Sequence, residues 1–201
     1  MEKLVNVKID ANAKVSSEAI IYPNVCVLGE SVIEEGAIIF SGSIITNSKI
    51  RKNATIKSSY IENSEVCELA EVGPFSHVRE HSKIGECAVI GNFVEVKNST
   101  IEKGVKAKHH SYIGDADVGQ NTNIGCGVIF CNYNGKSKSR IKIENDCFIG
   151  SNSNLIAPLF IAEKTYISAG STLTKNTNKY DFVVSRNRET IKPEYAKKYI
   201  D

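Results

Sequence analysis

The chain has 201 residues, 24% of them charged and 41% hydrophobic, and its 25 Lys and Arg against 23 Asp and Glu leave a net charge of +2. That balance lacks the basic excess of a nucleic-acid binder, and no apolar run is long enough to cross a membrane as a helix. Met1-Glu2-Lys3-Leu4-Val5 lacks the basic and apolar regions of a signal peptide, so the expectation is a soluble, cytoplasmic protein with reduced cysteines.

From the N-terminus onward an aliphatic residue recurs every six positions, at Ile9, Val15, Ile21, Val27, Ile33, Ile39 and Ile45. Neither the 3.6 period of a helix nor the period of 2 of a simple strand produces such a series. A small or β-branched residue stands four positions after each, as at Ala13, Ala19, Val25, Ser31, Ala37 and Ser43, which marks a hexapeptide repeat. Three hexapeptides make a triangular coil of about 18 residues, with a short strand on each side and a small or left-handed-tolerant residue at each corner.

The series continues at Val66, Val72, Val78, Ile84, Ile90 and Val96, then at Ile101, Ala107, Ile113, Val118, Ile124 and Phe130. Five-residue steps from Ile45 to Ile50 and from Ile113 to Val118 read as shortened corners. Between Phe130 and Ile143 the period breaks in a polar, basic stretch that includes Tyr133, Asn134, Gly135 and Lys138, which reads as a loop leaving the coil. The ladder resumes at Ile143, Ile149, Leu155, Ile161, Ile167 and Leu173 and then fades, and residues 192–199 read as a charged tail with one or two helical turns. The expectation is a single all-β domain, a parallel β-helix of nine or ten coils over residues 1–178, followed by a tail over 179–201. Cys26, Cys67, Cys87, Cys126, Cys131 and Cys147 show no Cys-x-x-Cys spacing and read mostly as reduced coil fillers. The long flat faces of such a prism predict a partner.

Several segments carry a closer likeness. Val72-Gly73-Pro74-Phe75-Ser76-His77-Val78-Arg79, Gly91-Asn92-Phe93-Val94-Glu95-Val96-Lys97, Lys106 to Asp115, Asn123-Ile124-Gly125-Cys126-Gly127, Cys131-Asn132-Tyr133-Asn134-Gly135, Ile149-Gly150-Ser151 and Ser185-Arg186 occur in one order. In that order and spacing the chain resembles the acetyltransferase domain of the GlmU family. The resemblance implies a left-handed β-helix, an exception to the usual right-handed crossover, assembled as a homotrimer with sites between subunits. It also implies transfer of acetyl from acetyl-CoA to glucosamine-1-phosphate, with no metal required, in the supply of UDP-N-acetylglucosamine for cell-wall precursors. The repeats begin close to Met1 with no glycine-rich phosphate loop before them, so uridyltransferase activity is not expected, and whether a separate uridyltransferase chain is a partner stays open. The chain departs from the family at Cys126 (family Ala), Asn134 (family Asp), Lys108 (family Gly) and in the tail after Arg186.

Acyl transfer to an amine needs a base for the amine proton, and neutral imidazole serves near pH 7. Among His77, His81, His109 and His110 the resemblance selects His109, with Glu95 to orient it. His110, as the next residue on a strand, is expected on the opposite side. Arg79 and Lys97 lie one coil apart, so stacking places them together as a clamp for a phosphomonoester. By resemblance Tyr112, Asn123 and Tyr133 contact the sugar, and Lys138 reaches the phosphate site of a neighbouring subunit. The resemblance likewise offers the Cys126 N–H and the Asn132 amide to the developing oxyanion, Ser151 and Ala169 to the pantetheine arm, and Arg186 to the coenzyme phosphates. The alternatives are acylation of another amino sugar or nucleotide sugar, and a non-catalytic subunit of a separate uridyltransferase. Zinc chemistry has little support, because His77 and His81 lack a third ligand at matching spacing.

Overall fold

The computed structural model describes residues 6–200; the expectations for Met1–Val5 and the extreme ends of the two expected segments lie outside the described residues. Short parallel strands stack into a left-handed β-helix of about ten coils. The first face runs from Lys8–Ile9 through Tyr60–Glu62 and His77–Arg79 to Thr172–Leu173. The second runs from Lys14–Val15 to Leu159–Ile161, and the third from Ile20–Ile21 to Phe182–Val183. Two strands, Val89–Lys97 and Lys106–Gly114, bend around the corner between the third and first faces and join them into one sheet. Among the described residues the one helix is a 3₁₀ turn, Tyr195–Lys198, and no helix is long and apolar enough to cross a membrane.

Pairing is in register from coil to coil. Ile45 pairs with Ile61, Ile61 with Val78, Val78 with Val96 and Val96 with Ile113, so one inward column of aliphatic side chains runs the length of the first face. The same holds on the other faces, and Ile33, Ile50, Val66, Ile84, Ile101, Ile39, Ile56, Val72 and Ile90 are buried in one continuous core. The hexapeptide clock is thus borne out, and Ile56 and Ile61 carry it across the gap in the series read before Val66.

The shortened steps fall mainly at the corner between the first and second faces. There Asn47, Asn63, Asn98 and Asp115 turn the chain with φ near +46 to +50°, a left-handed conformation that Asn and Asp adopt more readily than other non-glycine residues. Just past this corner lies a ladder of buried hydroxyls. The N–H groups of Ser48, Ser64, Ser82, Ser99 and Ala116 donate to the Oγ of Ser31, Ser48, Ser64, Ser82 and Ser99 respectively, at 2.9–3.2 Å. Backbone donors that the shortened turn leaves without a carbonyl are satisfied in this way.

Two expectations change. Of the six cysteines only Cys147 is a buried filler; Cys87 and Cys126 are exposed and the other three are half-buried. The helix also runs past residue 178, since Phe182–Val183 pairs with Tyr166–Ile167. Because each aliphatic rung is covered on both sides by neighbouring coils, truncation in mid-stack leaves a cavity. Ile90→Ala is expected to cost about 2–5 kcal/mol, read as a lowered urea midpoint with an unchanged slope.

Candidate active site

The expected site residues fall on two corners of the prism. At the corner between the third and first faces, Asn92 pairs with His109. The offset that pairs Ala107 with Ile124 and Tyr112 with Ile129 places Cys126 one coil beyond His109. Ser151 and Ala169 follow on the next two coils by the register of Ile124 with Ile149 and Ile149 with Ile167. Arg186 closes the column, its Nη1 donating to Ser168 Oγ and to Ala169 O at 2.7 Å each. From His109 to Arg186 is four coil steps, on the order of 19 Å at ~4.8 Å per step.

His109 is exposed, and its Nδ1 lies 3.2 Å from Asn92 Oδ1. With that oxygen as acceptor, Nδ1 carries the proton and Nε2 keeps a lone pair for substrate. Asn92 is the orienting residue that the sequence reading missed, although its position one coil before His109 marked it. Glu95, expected in that role, instead accepts from Arg79, with Nε at 2.8 Å and Nη2 at 2.7 Å, and stands in register with His77 and Tyr112 on the first face. His110 does not alternate with His109. Its φ of 39° puts it at the corner itself, so both imidazoles project outward. The N–H of Cys126 donates to no group among the described residues.

The second cluster occupies the corner between the first and second faces. Arg79 pairs with Lys97 in register, as expected from their spacing. Lys97 is 5% exposed, and its Nζ lies 3.0 Å from Glu80 Oε2 and 3.6 Å from Asp115 Oδ2. Asp115 also accepts from Asn98 Nδ2 and Asn132 Nδ2, both at 2.5 Å. Burial alone would raise the Asp115 pKa, but the bonds from Asn98 and Asn132 and the charges of Lys97 and Lys138 outweigh it and hold the carboxyl below the usual range.

Lys138, expected to reach a neighbouring subunit, lies beside Lys97 of its own chain. Its pKa is pushed down by the adjacent Lys97, whose own is raised by the hydrogen bond between the two and, against desolvation, by Glu80 and Asp115. The loop that carries Lys138 is pinned at its base by Arg140, which grips Asp117 with Nε at 2.8 Å and Nη2 at 2.6 Å and also donates to the carbonyls of Asn98 and Ala116.

Asn132, read as an oxyanion donor, belongs to this cluster: besides Asp115, its Nδ2 lies 3.3 Å from Tyr112 Oη. Tyr112 reaches there by crossing Gly114, where any Cβ would collide with the tyrosine ring and with Asn132. Tyr133 is exposed on the loop, its Oη donating to Gly135 O at 2.7 Å. Asn123 stands on the third face between Lys106 and Phe148, on the other side of the His110 corner from Tyr112. The two clusters are separated by a face about five residues wide, ~16 Å. Within one chain the base and the cation pair therefore do not converge.

These coils and columns define a hexapeptide-repeat β-helix protein. No family model matches the chain. Its sequence relatives include bifunctional GlmU proteins. With the one from Halalkalibacterium halodurans it shares 46% identity over 190 residues, 94% of this chain and 42% of the relative. With that of Clostridioides difficile identity is 52% over 107 residues, 53% and 23% of the two chains. The chain is thus homologous to the GlmU proteins over a portion of them, and it spans less than half the length of the relatives it matches. Solved structures with a similar course include a UDP-N-acetylglucosamine acyltransferase from Campylobacter jejuni, with TM-score 0.48, 17% identity and coverage of 81% and 68%. The polySia-specific acetyltransferase NeuO gives TM-score 0.34 and 15% identity, with coverage of 96% and 92%.

Asp115 has a lowered pKa in the folded chain, so its contribution to stability is complete above the ordinary aspartate value of about 3.9 and is lost as pH falls through the lower folded value. Asp115→Asn is expected to be less stable by roughly 1–3 kcal/mol at pH 7, with the gap to the parent narrowing in melts taken below pH 4.

Proposed function

We propose that the chain is an acyl-CoA-dependent N-acetyltransferase whose acceptor is an amino-sugar phosphate, with glucosamine-1-phosphate as the substrate and N-acetylglucosamine-1-phosphate as the product. The observation that supports it best is the single column of Asn92, His109, Cys126, Ser151, Ala169 and Arg186: an imidazole held by a neutral amide, a free N–H one coil beyond it, and a line of positions leading to a guanidinium. In this reading the acetyl thioester lies beside Cys126 and the pantetheine arm follows the column. The sugar amine gives a proton to His109 Nε2 as its nitrogen attacks the thioester carbonyl. The oxyanion of the tetrahedral intermediate accepts from the Cys126 N–H, and its collapse expels the coenzyme thiolate.

Arg79, Lys97 and Lys138 provide the cations for the acceptor's phosphate, with Tyr112, Asn123 and Tyr133 at the sugar. A bound phosphate would compete with Glu80 and Glu95 for Arg79 and Lys97. Since the two corners are a face apart, the acceptor bound at one meets the base of an adjacent copy, which also brings Asn132 toward the thioester. Apolar groups stand exposed on the first and third faces of the early coils, where Tyr22 stacks on Phe40 at 4.8 Å and Ile20, Ile44 and Tyr60 face outward. The second face presents Lys14, Lys49, Glu65, Lys83, Asp117 and Lys142 instead. That contrast supports a closed assembly of three copies with the second face in water.

The test is thiol release from acetyl-CoA with glucosamine-1-phosphate, glucosamine-6-phosphate and UDP-amino sugars as competing acceptors; a preference for any acceptor but the first overturns the assignment. His109→Ala should lower turnover by about two to four orders of magnitude with little change in melting temperature, and His110→Ala much less. Arg79→Ala and Lys97→Ala should each penalise glucosamine-1-phosphate by roughly 1.5–3 kcal/mol in kcat/KM while sparing unphosphorylated glucosamine. Equal penalties on both acceptors would make these cations structural.

Sedimentation velocity is expected to give a trimer at concentrations where the enzyme turns over. A fully active monomer would contradict a site shared between copies.

A further inference from the structure

On the third face, beside the Ser151–Ala169 column, the outward positions of three successive coils are aromatic. Phe148 stacks on Tyr166 with ring centroids 4.6 Å apart and planes 10° from parallel, and Tyr166 stacks on Phe182 at 5.2 Å and 15°. The stack ends at Phe182. One face of that ring is covered by Tyr166, the residue is 66% exposed, and no further aromatic ring stacks on it among the described residues. The rings therefore stand like plates on edge, with the last plate open toward the tail.

Arg186 lies alongside. Arg51, Arg79 and Arg140 each rest on a carboxylate, whereas Arg186 is held by two neutral acceptors, Ser168 Oγ and Ala169 O, through Nη1 alone. Its Nε and Nη2 have no partner among the described residues. Ser168 lies two residues past Tyr166, just beyond the strand Tyr166–Ile167, so the guanidinium pinned to it belongs to the coil that carries the middle ring of the stack. An uncompensated planar cation on the same last coils as an open aromatic face matches the two parts of a nucleotide, its phosphate and its base.

We propose that Phe182, backed by Tyr166 and Phe148, is the platform on which the purine of a nucleotide stacks while Arg186 takes its phosphate, and that the occupant is the nucleotide end of coenzyme A. The assignment rests on the reading of the neighbouring column as the coenzyme groove. It adds to that reading the residues that select the base.

Calorimetric titration with coenzyme A, 3′,5′-ADP, 4′-phosphopantetheine and UDP separates the contributions. Phe182→Ala and Phe182→Leu should weaken coenzyme A and 3′,5′-ADP by about five- to a hundredfold, the usual effect of losing one base–aromatic stack, and leave 4′-phosphopantetheine unchanged. Phe182→Tyr should bind as the parent does. Arg186→Met should weaken coenzyme A and 3′,5′-ADP. Val184→Ala, at an exposed position just past the same strand, serves as the control for loosening of the last coil, as do melting curves of every variant.

Equal losses for coenzyme A and 4′-phosphopantetheine in the Phe182 variants, or no loss for either, would overturn the platform. UDP binding more tightly than 3′,5′-ADP would overturn the choice of occupant. Turnover measured on the same samples keeps the two readings apart. Acetyl transfer that is indifferent to Phe182 at limiting coenzyme removes the platform alone. Phe182-dependent binding of 3′,5′-ADP without acetyl transfer removes the acceptor assignment and supports the platform.

Discussion

In-register parallel pairing between successive coils is the constraint on which everything else rests. Each coil hands its outward N–H and C=O groups to the next, so a side chain's neighbours are set by counting one coil along the chain, 16 to 18 residues, and not by local sequence. Shortened corners change the count without breaking the column, because a single left-handed Asn or Asp absorbs the missing residue. By this means His109, Cys126, Ser151, Ala169 and Arg186, spread over 78 positions of sequence, come to stand in one line.

The same stacking forces like charges together and dictates how they are compensated. Arg79 must lie against Lys97 because their coils are paired, and the loop adds Lys138 to the same corner. Glu80, Glu95 and Asp115 answer these cations from adjacent positions. The consequence for the chemistry is direct. Glu95 is engaged by Arg79, and the His109 imidazole has the neutral Asn92 amide beside it, which adds no negative charge next to the ring.

Much of this was legible in the amino-acid sequence because the repeat is a linear code. The hexapeptide series located the core from Val27 to Leu173, with Val15 and Ile21 partly buried against it and Ile9 exposed at the open end; the breaks at 45–50, 113–118 and 130–143 located corners and a loop, and an eighteen-residue spacing paired Arg79 with Lys97. What escaped reading lay at corners, where the alternation of a strand fails. His110 was placed opposite His109 by strand logic, yet a φ of 39° turns both outward. Asn92 went unassigned because its role appears only when coils are stacked with an offset of 17, one fewer than the ideal count. Asn132 was read by resemblance as a donor to substrate, and its commitment to Asp115 is visible only in three dimensions. The coil beyond 178 was lost because Asn176, Thr177 and Asn178 interrupt the aliphatic series before Phe182 and Val183 rejoin the stack.

The serine ladder has a polarity. Every hydroxyl in it accepts from the coil that follows, so each finished coil displays an acceptor for a donor not yet made. The corner is a template that reads in the direction of synthesis, and a chain emerging N-terminus first can add coils onto a prepared edge. The ladder stops at Ala116, one coil before the loop departs, and there Ile141 N–H turns to the carbonyl of Asp115 instead. The rungs of the ladder are 16, 17 or 18 residues apart, so upstream of Ala116 a coil can lose or gain a residue at a corner and still set its donor opposite the waiting hydroxyl.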